Sequence, residues 1–202
     1  MTEAGLVPGL PELRDALGDT PAWLVGGALR DKLLGRPVID VDIAVDGDPR
    51  AAARAIGRAL KVPVFELSAE FGTWRAGDAG WHVDVSVIQG STIEGDLARR
   101  DLTVNALARP LTGGETIDPH GGLADLDARL LRMVSPAAFE DDPLRMLRLP
   151  RLACELGFTV ERHSYGTGVN VVGVREGTAE PTRRVVLGAH YDHIRNCAGA
   201  DD

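Results

Sequence analysis

The segment AWLVGGALRDKLLGRPVIDVDIAV, residues 22–45, constrains the fold more than any other stretch of the chain. AWLV (22–25) reads as a buried strand. The run that follows predicts a helix from about Ala28 to Leu34, stopped by Gly35 and Pro37. VDIAV (41–45) is a second strand, entered through Asp40. Residues two apart in a strand share a face. Asp40 and Asp42 therefore project together, away from Val41 and Ile43. Neighbouring carboxylates repel and call for a cation or a shared proton. A hard divalent ion such as Mg²⁺ satisfies both and keeps positions for phosphate oxygens and water.

What precedes the acidic pair supports that reading. Gly26 and Gly27 lie between strand and helix, where backbone without side chains can approach a phosphate and a helix N-terminus offers N–H groups. Arg30 sits one turn further in and could reach the same anion. WHVDVSVI (81–88) alternates as a strand, with His82, Asp84 and Ser86 on one face and Val83, Val85 and Val87 on the other. Asp84 would be a third carboxylate on a neighbouring strand. Two ions side by side could then activate an attacking hydroxyl and hold the leaving oxygen of an in-line displacement. The plainer alternatives are a solvated D-x-D strand edge and an ordinary tight turn at the glycines. The conjunction of the two features in one compact unit favours the chemical reading.

Elsewhere the pattern predicts a short helix near Leu10 to Leu17 and strands at VPVFEL and GTWRAG. A helix over 48–60 begins with Asp48 as cap and Pro49 at its first position. Further helices are expected from Leu97 to Leu107 and over 142–156, the second with Leu144, Leu147 and Leu152 buried and a kink at Pro150. The fold class is α/β: a mixed, mainly antiparallel sheet flanked by helices, then a helical segment. After Phe158 valine- and glycine-rich strand patterns take over, so a boundary falls between about Phe158 and Ser164 and a β-rich tail follows.

The net charge of −8 argues against a chain that wraps nucleic acid unaided. It is compatible with an enzyme that reaches a nucleotide through divalent ions. No apolar run approaches the ~18 residues of a membrane span. No secretory signal is visible, and Cys154 and Cys197 make no disulfide framework, so a cytoplasmic protein is expected.

LVGGALRDKLLGRPVIDVDIAV resembles the signature of class II tRNA nucleotidyltransferases and the related bacterial poly(A) polymerases. RRDLTVNALA (99–108), IDPHGGLADLDARLLRMVSPAAFEDDPLRMLR (117–148) and RLACELGF (151–158) are similar to further motifs of that family, in its order. The resemblance covers about residues 10–158 and implies a polymerase-β-like nucleotidyltransferase head. It divides the chain into a head over 10–134, a nucleotide-selecting helical segment over 135–160 and an unrelated fragment over 164–202. It implies that Asp40 and Asp42 bind Mg²⁺, with Asp84 the third catalytic acid. Gly26, Gly27 and Arg30 would hold the triphosphate, and Asp31 would stabilise the turn around it. Arg100, Asp101 and Asn105 would bind the incoming nucleotide and its ribose. Asp142 and Arg145 would read the base edge of CTP or ATP, assisted by Arg148. Their i, i+3 spacing shares a helical face, though Asp142 could equally cap a helix before Pro143.

The implied reaction is attack of an RNA 3′-hydroxyl on the α-phosphate of a nucleoside triphosphate. It would add CMP and AMP to tRNA 3′ ends (CCA addition), with poly(A) synthesis as the nearest rival. The family's neck, body and tail regions are not matched, so weak engagement of the tRNA end is expected. Residues 164–202 resemble instead the start of a dizinc aminopeptidase catalytic domain, through NVVGVREG, VVLGAHYDH and GADD. That resemblance implies zinc ligation by His190, orientation of His190 by Asp192 and bridging by Asp202. Further ligands would lie downstream, so an inactive, vestigial zinc pair is expected. The bland reading of His190, Asp192 and His193 is a polar strand end.

Overall fold

The computed structural model describes residues 9–69, 71–78, 80–140, 142–157 and 159–160. His190, Asp192, His193 and Asp202, with the whole 164–202 segment, lie outside the described residues. The chain divides into two units. The first comprises, among described residues, 9–99 and 105–120, and the second 100–104 and 121–160.

The first unit is a six-stranded mixed sheet with helices. Its elements run α1 (Leu10–Leu17), β1 (Ala22–Val25), α2 (Gly26–Leu33), β2 (Asp40–Val45), α3 (Pro49–Leu60), β3 (Val64–Ser68), β4 (Thr73–Gly77), β5 (His82–Val87), α4 (Ile93–Leu97) and β6 (Ala108–Pro110). The strand order is β3-β4-β5-β2-β1-β6. Every pairing is antiparallel except β2 with β5, which is parallel. A mixed, mainly antiparallel sheet is thus observed as expected.

The helices follow from local chemistry. Asp48 caps α3, its carboxylate accepting from the Arg50 and Ala51 amides, and Pro49 opens the helix where no N–H partner is needed. Ala52, Ala53 and Ile56 recur at helical spacing and are buried. Trp74 stands directly across from Val85, so the two share a sheet face. Arg50 of α3 lies 5.1 Å from the Trp74 ring centroid, in cation–π range. α3 therefore covers the face carrying Val85, Val83, Ile43 and Val41, all fully buried. The opposite face of the same strands carries the aspartates.

The expected helix from Leu97 to Leu107 does not form. α4 ends at Leu97, and only a 3₁₀ turn over Thr103–Asn105 follows. Leu102 instead bridges antiparallel to Met133, and the Thr103 N–H donates to the Arg132 carbonyl. Asp101, Thr103 and Asn105 are weak helix formers whose polar side chains find partners outside a helix ladder, and all three are buried.

The second unit contains α5 (Gly122–Ala128), β7 (Leu130–Leu131), α6 (Ala137–Glu140), a 3₁₀ helix (Pro143–Leu147), α7 (Arg148–Leu156) and β8 (Thr159–Val160), with β7 and β8 parallel. The predicted 142–156 helix is thus divided. In a 3₁₀ helix residues three apart are eclipsed. Leu144 and Leu147 accordingly share a solvent-facing side, 64% and 51% exposed, where burial was expected. Met146, Leu149, Leu152, Ala153 and Leu156 are the buried positions. Pro150 falls in the first turn of α7, where its missing N–H would have had no partner, so no kink is required there. Among the described residues no helix is long and apolar enough to cross a membrane.

Candidate active site

The parallel pairing of β2 and β5 sets Asp40 opposite His82 and Asp42 opposite Asp84. The next strand, β4, sets Arg75 opposite Asp84. Asp42, Asp84 and Arg75 thus form one row across three strands on a single face. The three aspartates of the sequence reading meet on that face, with the valine and isoleucine side chains turned to the other.

Each flanking carboxylate has a basic neighbour. Arg75 grips Asp84 with both arms of its fork: Nε donates to Oδ1 at 2.6 Å and Nη2 to Oδ2 at 2.7 Å. This bond, with the charges of Asp84, Asp40 and Asp42, raises the Arg75 pKa further above its already high ordinary value, against a smaller opposing effect of burial. His82 Nε2 lies 3.0 Å from Asp40 Oδ1. Asp40 itself is 70% exposed and open to an incoming ligand.

Sequence reasoning placed His82 on this face without its partner, and missed Arg75 altogether. The alternation in GTWRAG puts Arg75 and Trp74 on opposite faces. Only the hairpin register, fixed by the turn between β4 and β5, says that Arg75 meets Asp84.

A three-carboxylate cage is not what the structure presents. Among the described residues no group of three or more His, Cys, Asp or Glu side chains is placed to hold a metal ion. Asp84 is in register but turned into the Arg75 fork. Asp40 and Asp42, paired oxygen donors on one strand face, fit a hard divalent ion.

The glycine junction is built as a cradle. Gly26 has φ of +63°, a left-handed conformation that disfavours other residues, and its N–H donates to the Leu107 carbonyl at 3.3 Å. α2 therefore begins at Gly26, two residues before the expected start. A Cβ on Gly27 would lie 3.5 Å from Arg30 Nη2, so the guanidinium backs the junction. Arg30 is only 7% exposed. Its Nε and Nη2 donate to the two oxygens of Asp31, at 3.1 and 3.0 Å, and its Nη1 to Asn105 Oδ1 at 2.6 Å. Arg30, Asp31 and Asn105 are thus one network beneath the junction, with Arg30 and Asn105 75 residues apart in the chain.

The remaining candidates lie in the second unit. Asp101 is buried; Oδ1 accepts from the Leu102 amide at 2.9 Å, and Oδ2 lies 3.0 Å from Arg148 Nη1. Arg100 is half-buried beside it in sequence. Asp142 caps the 3₁₀ helix through the Leu144 amide at 3.1 Å and also lies 3.4 Å from Arg145 Nε. The cap and the shared face are both present. Arg145 Nη1 donates to the Ala138 carbonyl at 3.0 Å. Asp142 with Arg145, and Asp101 with Arg148, are therefore two acid–base pairs within this unit.

Comparison with known proteins agrees with this architecture. The family model for the poly A polymerase head domain matches residues 22–88 and 79–132. A CC-adding tRNA nucleotidyltransferase of Halalkalibacterium halodurans is 41% identical over 152 residues, covering 75% of this chain and 38% of that protein. A CCA-adding enzyme solved with CTP is 33% identical with a TM-score of 0.67, covering 75% of this chain and 38% of its own. A CCA-adding enzyme of Thermotoga maritima solved with tRNA is 35% identical with a TM-score of 0.65, over 75% and 37% respectively. The chain spans somewhat over a third of the length of these relatives. With the sheet, the acidic row and the family match in agreement, the chain belongs to the poly A polymerase head domain family.

Proposed function

We propose that this chain is the catalytic head of a cytoplasmic tRNA nucleotidyltransferase that transfers CMP or AMP from CTP or ATP to an RNA 3′ end. The observation that carries the reading is the parallel register of β2 and β5, which gathers Asp40, Asp42 and Asp84 on one face. The names of the relatives, CC-adding and CCA-adding enzymes, give the substrate class. In this reading residues 10–134 form the head and 135–160 the nucleotide-selecting segment.

Asp40 and Asp42 would hold Mg²⁺, which when bound lowers the pKa of an attacking hydroxyl and neutralises charge on the leaving oxygen. The chain's own residues position and discriminate. Gly26 keeps side chains out of the path of a phosphate. Arg30, locked to Asp31 and Asn105, fixes that junction at small cost in reorganisation when substrate arrives. Asp142 and Arg145 together offer acceptor and donor groups suited to a base edge, and Arg148 steadies Asp101.

The test uses the full chain, labelled CTP or ATP and a tRNA lacking its 3′-terminal residues. The reading predicts nucleotide binding that requires Mg²⁺, with label transferred weakly to the tRNA, both lost in Asp42→Ala. Nucleotide binding indifferent to Mg²⁺, or unchanged in Asp42→Ala, refutes it.

A further inference from the structure

We infer that Arg75 is a positioning residue that withholds Asp84 from the metal ions, so that the acidic face works as a two-carboxylate site with a neutralised third acid. The inference rests on the reading of Asp40 and Asp42 as metal ligands and says how the rest of the face is arranged around them.

Arg75, Asp84 and Asp42 occupy one row across β4, β5 and β2, in the order cation, anion, anion. Each oxygen of Asp84 receives its own N–H from the fork, at 2.6 and 2.7 Å. Two parallel charge-assisted bonds of this length are the strong form of the interaction. Each carboxylate oxygen carries two lone pairs, and the fork takes one on each, which leaves a hard divalent ion only the remaining one of either oxygen. To turn the fork-facing side of its carboxylate to an ion, Asp84 would have to give up at least part of that fork.

Arginine suits this task in a way lysine does not. The guanidinium is planar and keeps its charge throughout the accessible pH range. Both partners are largely buried, with 26% of the Arg75 and 17% of the Asp84 side chain exposed, so the pair is less screened than a surface ion pair. Asp40, at 70% exposure, is by contrast open. Three carboxylates against one guanidinium leave the face with less negative charge than its composition suggests. It then holds a free divalent ion weakly and relies on the triphosphate to supply further oxygens.

The test is a titration of the full chain with Mn²⁺ and no nucleotide, following free Mn²⁺ by electron paramagnetic resonance, with circular dichroism to verify folding. Removing the fork in Arg75→Met frees Asp84 and adds one uncompensated charge. Mn²⁺ should bind on the order of tenfold more tightly, the effect of one charge on a divalent ion ~6 Å away at a water-like dielectric. Arg75→Lys, which keeps the charge but not the fork, should gain less. Asp84→Asn leaves the Arg75 charge uncompensated and should weaken Mn²⁺ binding by no more than on the order of tenfold, the mirror of that charge effect, and in the Arg75→Met background it should abolish the gain.

The inference is overturned if Asp84→Asn weakens Mn²⁺ binding as severely as Asp42→Asn, because Asp84 is then a ligand. It is equally overturned if folded Arg75→Met binds no more tightly than the native chain. If Arg75→Met does not fold, the Asp84→Asn measurement alone decides. Failure of the underlying reading is separate: there, Asp42→Ala would leave Mn²⁺ binding intact.

Discussion

Replacing Gly57 by alanine should destabilise the first unit, although the same change in most helices does the opposite. In an exposed helix interior, alanine is favoured over glycine by ~0.5–1 kcal/mol through backbone entropy. Gly57 lies on the buried side of α3, where an added Cβ would run into the Val64 side chain and sit 3.1 Å from the Val62 carbonyl. Both neighbours are held, Val64 in β3 and Val62 by the hydrogen bond its N–H donates to the Gly57 carbonyl. Forcing such overpacking costs roughly 1–3 kcal/mol. The two effects oppose each other, and the net expectation is a loss of ~1–2 kcal/mol.

The chain offers a selective reporter, because its three tryptophans, Trp23, Trp74 and Trp81, all belong to the first unit. Urea unfolding followed by their fluorescence should show a midpoint lowered by roughly 0.3–2 M, given slopes of ~1–3 kcal/mol/M. The Val64→Ala background removes the Val64 clash and leaves the 3.1 Å approach to the Val62 carbonyl. There, Gly57→Ala should lower the midpoint by less than it does in the native chain. A higher midpoint for Gly57→Ala in the otherwise native chain would refute the packing argument.

Two further expectations follow from particular bonds. Asp125, 2% exposed, accepts from Thr103 Oγ1 and from Arg132 Nη2; Asp125→Ala leaves the buried Thr103 hydroxyl without its acceptor, at a cost of ~1–3 kcal/mol. Faster hydrogen exchange at the Thr103 amide, which bonds the Arg132 carbonyl, is the measurement. Asp78, in the turn between β4 and β5, accepts from the Gly80 and Trp81 amides, which lower its pKa below 3.8. Its contribution is therefore fully present above the unfolded value near 3.8 and fades as pH falls through the lower folded value. Asp78→Asn should flatten the acid limb of the stability profile, read as the difference from the native chain at pH 6 and pH 3.

The acidic face was legible because strand alternation is a local rule: Val41, Ile43, Val83 and Val85 announce which way Asp40, Asp42 and Asp84 must point. The start of α3 was legible for a similar reason, since Asp48 and Pro49 act on amides within one turn. Where partners lie far along the chain, the pattern failed. Residues 97–107 read as helix, yet Leu102 and Thr103 take their backbone partners from Arg132 and Met133. Arg30 looked like a free cation for an anion, whereas Asn105 and Asp31 occupy its donors. Arg75 carried no signal, because its importance comes from a hairpin register rather than from neighbours in sequence. The 3₁₀ geometry after Asp142 left Leu144 and Leu147 in an exposed row while Leu152 is buried, a change of period that a helical reading cannot anticipate.

The short passage 100–104 belongs to the second unit, while 105–120 returns to the first. The peptide chain thus changes allegiance three times, at 99/100, 104/105 and 120/121. A protein engineer who shortened it after His120 to obtain a minimal sheet would strip Leu102 and Thr103 of Met133, Arg132 and Asp125 in the same cut. Buried groups that lose their counterparts seek others, so such a fragment should be sticky and prone to precipitate. Any excision that respects this lacing has to keep the strand at Leu130–Leu131 and the residues through Val134 attached to the sheet-bearing portion.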